Sequence, residues 1–72
     1  MIVVVNEQQV EVDGQTTVAA LLESMGFPDR GIAVAVDAAL LPRSRWATEL
    51  SELSGPPGAP VRLEVLTAVQ GG

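Results

Sequence analysis

Apolar and polar positions divide this chain into short segments of two periods. Ile2–Val5 is β-branched throughout and reads as a strand. Asn6-Glu7-Gln8 is polar and suits a turn, after which residues 9–12 alternate, with Val10 and Val12 on one face and Gln9 and Glu11 on the other. The two segments predict an amino-terminal hairpin. Asp13-Gly14-Gln15 breaks the pattern with turn-forming residues. Val18, Leu21, Leu22 and Met25 then fall at i, i+3, i+4 and i+7, one face of a helix. Thr16 or Thr17 can serve as its N-cap. Gly26 stands where a left-handed residue ends a helix, Phe27 can make the accompanying apolar contact, and Pro28 prevents continuation.

The second half reads as strands again. Residues 32–36 place Ile32, Val34 and Val36 on one face and Ala33 and Ala35 on the other. The alanine face either lies close under a helix or is simply thin. Asp37-Ala38-Ala39 turns the chain, Leu40-Leu41 begins a short return strand, and Pro42 places that strand at a sheet edge. Residues 44–53 have room for a helical turn or two, with Trp46 and Leu50 at i, i+4. The Gly- and Pro-rich residues 54–60 form a turn or loop. Residues 61–69 read as the longest strand, with Val61, Leu63, Val65 and Val69 sharing a face. The order is strand, strand, helix, strand, strand, short helix, strand. It predicts one α+β domain, a sheet of about five strands with one main helix on one face.

Composition narrows the chemistry. The chain has 72 residues, with 47% hydrophobic residues and no Cys. A domain of this size buries only about 60% of its unfolded-state surface, so a plain apolar core must hold it without disulfides. It also has no Lys, His or Tyr. Without His or Cys there is no thiolate metal site, no usual zinc ligand and no Ser-His-Asp or Cys-His triad. Without Lys there is no Schiff base and no P-loop. A self-contained enzyme is not expected, nor is a metal site. The net charge of −5 argues against nucleic acid and anionic membranes, and favours a partner with a basic face. No signal-peptide pattern or transmembrane-length apolar run is visible, which makes the cytoplasm the expected compartment.

Gly71-Gly72 is the first candidate for chemistry. At ordinary glycine usage two terminal glycines arise by chance about once in 200 chains. The pair reads either as a frayed tail or as a reactive one. Lacking Cβ, glycine can thread a channel too narrow for other residues. A terminal glycine carboxylate is an unhindered anion at neutral pH, able to attack the α-phosphorus of ATP once another protein positions both. Only Gln70 separates this pair from the strand at 61–69, which would aim it away from the body. Leu66 falls on the face opposite Val61, Leu63 and Val65. It reads as an exposed apolar contact beside the tail, unless both faces are buried or a bulge shifts the register.

Other features read as structural first. Trp46, one of two aromatic residues with Phe27, suits a core plug. Arg43 and Arg45 suit a solvated surface, with a docking patch for an acidic partner as the lesser reading. Glu49 and Glu52, at i, i+3, could mimic a carboxylate pair but read as a solvated face.

These residues together resemble the ThiS family, the sulfur-carrier proteins of thiamin thiazole biosynthesis, which have a ubiquitin-like β-grasp fold. The resemblance spans the whole chain. It rests on Thr17-Val18-Ala19-Ala20-Leu21-Leu22, on Val34-Ala35-Val36-Asp37 with Leu41-Pro42-Arg43-Ser44-Arg45-Trp46, and on Thr67-Ala68-Val69-Gln70-Gly71-Gly72. Two stretches depart from the family: Gly55-Pro56-Pro57-Gly58-Ala59-Pro60 replaces a Gly-Asp turn, and Asp37-Ala38-Ala39 replaces an Asn-Gly turn.

The resemblance implies a β-grasp domain over 1–69 and a flexible tail over 70–72. It implies that Gly72 is adenylated and converted to a thiocarboxylate. Gly71, Gln70, Val69 and Leu66 would be partner-binding residues. Implied partners are an E1-like adenylyltransferase of the ThiF type, which uses ATP, a sulfur donor enzyme, and a thiazole synthase of the ThiG type. No cofactor is expected on the chain itself. The alternatives are a carrier serving molybdopterin or cysteine biosynthesis, or a β-grasp interaction module without tail chemistry.

Overall fold

The computed structural model describes residues 1–53 and 59–67. Strand β1 (Ile2–Val5) pairs antiparallel with β2 (Gln8–Glu11). Strand β3 (Ile32–Val36) pairs antiparallel with β4 (Ala39–Leu41). Both hairpins close on two residues rather than the three the sequence implies. Val5 pairs with Gln8 and Val36 with Ala39, so Gln8 and Ala39 already belong to strands. The central residues have φ of 49° and 69° at Asn6 and Glu7, and 49° and 70° at Asp37 and Ala38. Left-handed values at both positions define the type I′ turn, whose twist matches that of the flanking strands.

Strand β5 (Val61–Thr67) enters between the hairpins, giving the order β2-β1-β5-β3-β4. It runs parallel to β1 and antiparallel to β3. Among the described residues, a mixed five-strand sheet with one α-helix on one face is the α+β arrangement expected from the sequence and the β-grasp architecture implied by the resemblance. Residues 54–58, 68 and 69, part of the predicted loop and the end of the predicted last strand, lie outside the described residues.

Helix α1 (Val18–Ser24) buries Val18, Leu21 and Leu22, the predicted stripe, with Met25 packed against the same cluster. Both ends are satisfied. At the amino end, Thr17 Oγ1 accepts from the Ala20 N–H at 3.1 Å. The Val18 and Ala19 N–H groups donate to the Thr48 and Trp46 carbonyls at 3.1 and 3.0 Å. At the other end Gly26 has φ of 86°, its N–H donates to the Glu23 carbonyl, and the Phe27 N–H donates to the Leu22 carbonyl. Those two bonds are the Schellman pattern, closed by a glycine that alone takes this φ without strain.

The stretch after β4 holds the helical turns expected in residues 44–53, but not as one continuous α-helix. It forms two separate 3₁₀ turns, Arg43–Arg45 and Leu50–Glu52. The physical reason lies in where its backbone bonds go. The Trp46 and Thr48 carbonyls cap α1, and the Leu50 N–H donates to the Thr16 carbonyl at 2.8 Å. Groups used sideways in this way cannot build an i→i−4 ladder. The stretch also drops Trp46 and Leu50 into the core, with Val3, Val34 and Leu63 on the sheet side.

Candidate functional site

Strand β5 is both the centre of the sheet and the strand that leads to Gly72. Its burial alternates strictly from Val61 to Leu66: Val61, Leu63 and Val65 are buried, and Arg62, Glu64 and Leu66 are exposed. Its register with β3 runs unbroken from Val36↔Leu63 to Ile32↔Thr67, so no bulge reverses the faces. Leu66 is 61% exposed and lies opposite Ala33 on the face that α1 leaves uncovered.

A second exposed leucine shares that face. Leu40, 71% exposed, pairs with Ala35, whose other neighbour is Glu64. The alanine face of β3 is therefore the thin one. Helix α1 packs over Val34 and its neighbours instead. Two large apolar side chains thus flank two small ones on an open sheet face. Leu40 was not nominated from the sequence, although its alternation with the half-buried Leu41 was the available signal.

The rest of the open face mixes apolar and polar positions, with Ile2 and Val4 of β1 beside Arg62 and Glu64 of β5. Val4, Asn6, Glu7, Arg62 and Glu64 line a depression of about 330 Å³ beside the amino half of β5. Asn6 is more than a turn residue here. Its Oδ1 accepts from the Val65 N–H at 2.8 Å and its Nδ2 donates to the Val65 carbonyl at 3.3 Å.

The remaining candidates lie away from this face. Trp46 is 7% exposed, and its Nε1 donates to the Leu41 carbonyl at 3.3 Å. The Arg43 guanidinium lies 5.1 Å from the Trp46 ring centroid, a cation–π contact that places this arginine over the indole. Arg45 is exposed. Glu49 does not face Glu52 on a helix, because it forms an isolated bridge with Thr17 before the second 3₁₀ turn. Among the described residues no group of three or more carboxylates is placed to hold a metal ion, and no helix is long and apolar enough to cross a membrane. Val69, Gln70, Gly71 and Gly72 lie outside the described residues, as does the predicted boundary between domain and tail.

Two comparisons bear on this arrangement. The model of the ThiS family matches residues 3–72 of the chain. Comparison with curated proteins gave no match.

Proposed function

Since this chain belongs to the ThiS family, and so to the small sulfur carrier proteins, we propose that the Gly72 carboxylate is its reactive group. A carboxylate oxygen of Gly72 attacks the α-phosphorus of ATP on an E1-like adenylyltransferase. Pyrophosphate leaves and an acyl-adenylate forms. The outer sulfur of a donor enzyme's persulfide then attacks the acyl carbon and expels AMP, and a thiol reductant cleaves the S–S bond of the resulting acyl disulfide, which frees the terminal thiocarboxylate. Thiazole synthase takes up that sulfur to build the thiazole of thiamin, and the carboxylate returns. The chain is the co-substrate of these enzymes rather than a catalyst, and ATP belongs to the partner. The cytoplasm is the proposed compartment.

One observation carries the reading beyond family membership. The strand that leads to Gly72 is the central strand of the sheet, with Leu66 exposed beside its end. A strand paired with β1 as far as Leu63 and with β3 as far as Thr67 is a firm base for a short reactive terminus, and an apolar contact next to it gives the partner a hold. Gly71, Gln70 and Val69 are proposed to thread into the adenylating site, with Leu66 docking at its rim.

The test is the intact mass of the protein after incubation with an adenylating partner, ATP and a sulfur source. The expected result is exchange of one oxygen for sulfur, mapped to Gly72 and absent once Gly72 is deleted. An unchanged mass with several such partners would favour an interaction module. Thiamin-independent growth supported by the Gly72 deletion would sink the carrier reading. Offering the thiocarboxylate to thiazole synthase and to molybdopterin synthase separates the pathways.

A further inference from the structure

Strand β1 is shorter than its parallel partner. It ends at Val5, opposite Leu63, because the chain turns at Asn6 and Glu7. Strand β5 continues for residues 64–67 with β3 still alongside. The β1 side of this last stretch would lose its ladder at the point where the strand heads for Gly72. Asn6 fills that place. Its N–H donates to the Leu63 carbonyl at 3.0 Å. Its side-chain amide then bonds both backbone groups of Val65, accepting at 2.8 Å and donating at 3.3 Å. A carboxamide offers the same acceptor and donor as a peptide group, so the side chain acts as one more residue of β1.

The second hairpin provides an internal control. Asp37 occupies the same turn position with the same φ of 49°. Its Oδ1 accepts from the Arg62 N–H at 3.3 Å, and its own N–H donates to the Arg62 carbonyl at 2.8 Å. Because β3 runs antiparallel to β5, this contact falls at the amino end of the strand. Each hairpin thus lends a turn side chain to β5, one at each end, and only the Asn6 contact lies toward the tail.

We propose that Asn6 is a positioning residue for the reactive terminus, its side-chain amide holding Val65 so that the strand keeps its direction up to the tail. The proposal rests on the sulfur-carrier reading of Gly72. Gly72 lies seven positions beyond Val65, and a chain of that length reaches at most about 25 Å. A small tilt at Val65 is magnified over that length, and a misplacement of about 1 Å can cost roughly a hundredfold in rate. Turn geometry alone does not require asparagine, since glycine meets a φ of this sign without strain.

That last point supplies the experiment. Asn6→Gly keeps the turn and removes only the amide, and Asp37→Gly does the same at the far end. Hydrogen exchange followed by NMR is expected to show the Val65 amide exchanging about tenfold faster in Asn6→Gly, the scale of one net hydrogen bond, while Asp37→Gly accelerates Arg62 instead. With an adenylating partner, Asn6→Gly is expected to lower kcat for thiocarboxylation by about tenfold with little change in KM, and Asp37→Gly to leave kcat unchanged. Asn6→Asp, which keeps the acceptor and loses the donor, should fall between wild type and Asn6→Gly, and it serves as the test variant if the glycine form does not fold. Wild-type exchange at Val65, or equal kcat in the two glycine variants, would overturn the proposal. Failure of the wild-type protein to acquire sulfur would instead overturn the carrier reading, and the exchange measurement would still decide whether Asn6 holds the strand.

Discussion

Leu66 and Ala33 sit opposite one another on β5 and β3, on the side of the sheet away from α1. The pairing leaves the leucine 61% exposed, with a small neighbour that covers little of it. Such a side chain contributes little to folding but is available to a partner. Leu66→Ala is therefore expected to change stability by less than about 0.5 kcal/mol, the range for surface substitutions. It should weaken binding to the adenylating enzyme by about tenfold, as for an interface anchor worth 1–2 kcal/mol. Calorimetric titration against that enzyme checks the second figure and a melting curve the first. Unchanged affinity would remove Leu66 from the interface. Leu40→Ala, on the same face, tests how far the contact extends.

The two hairpin turns hold residues that do not favour their conformation. Glu7 and Ala38 have φ of 69° and 70°. A left-handed conformation costs an ordinary L-residue about 1–2 kcal/mol. Glycine removes that cost but gains freedom in the unfolded chain, which offsets about 0.4–1 kcal/mol of it. Ala38→Gly and Glu7→Gly are each expected to stabilise by about 0.5 kcal/mol, raising Tm by about 2–4 °C in a domain of this size. Differential scanning calorimetry decides it, and a lower Tm in both variants would contradict the turn geometry.

Much of this was legible in the sequence, and the exceptions have identifiable causes. Local signals are strong where a residue serves only its own element. Thr17, the Leu21–Leu22 pair and Gly26 mark the helix and both of its ends by bonds and spacing local to the helix, although the Val18 and Ala19 N–H groups find their acceptors at residues 48 and 46. The alternation at Val61, Leu63 and Val65 gave the face of Leu66. What the sequence left open depends on contacts between segments far apart in the chain. The 3₁₀ turns take their form from carbonyls that cap a helix some thirty residues earlier. Asn6 reads as a turn residue and nothing more, because its partner is Val65, 59 positions away. The thinness of the alanine face follows only once α1 is known to lie over Val34.

Trp46 links the two halves of the fold, and its removal should show it. Its ring is buried in the core, its Nε1 holds the Leu41 carbonyl, and its own carbonyl accepts from the Ala19 N–H at the start of α1. Trp46→Ala is expected to cost about 3–5 kcal/mol, the usual figure for a large core aromatic. Set against a total of about 5–15 kcal/mol for a small domain, that leaves little. Trp46→Phe keeps most of the packing and should cost less. Urea unfolding followed by far-ultraviolet circular dichroism measures both. A Trp46→Ala midpoint equal to that of wild type would show that the stretch with the two 3₁₀ turns is held without the indole.

The charge balance makes a prediction about rate rather than affinity. Nine carboxylates stand against four arginines, for a net charge of −5. Glu64 lies on the open sheet face two residues before Leu66, and Glu7 lines the depression on the same side. A partner that meets this surface with basic residues is drawn in by long-range attraction, which speeds encounter by tenfold or more at about 10 mM salt. Raising the ionic strength from about 0.01 M to 0.15 M shortens the screening length from about 30 Å to 8 Å. The association rate with the adenylating enzyme should therefore fall by about tenfold over that range, while the dissociation rate changes little, because the Leu66 contact is apolar. Glu64→Gln should reduce both the low-salt rate and its salt dependence. Surface plasmon resonance against the immobilised enzyme at the two salt concentrations gives both rates. An association rate indifferent to salt would mean that the partner meets this face without a complementary charge.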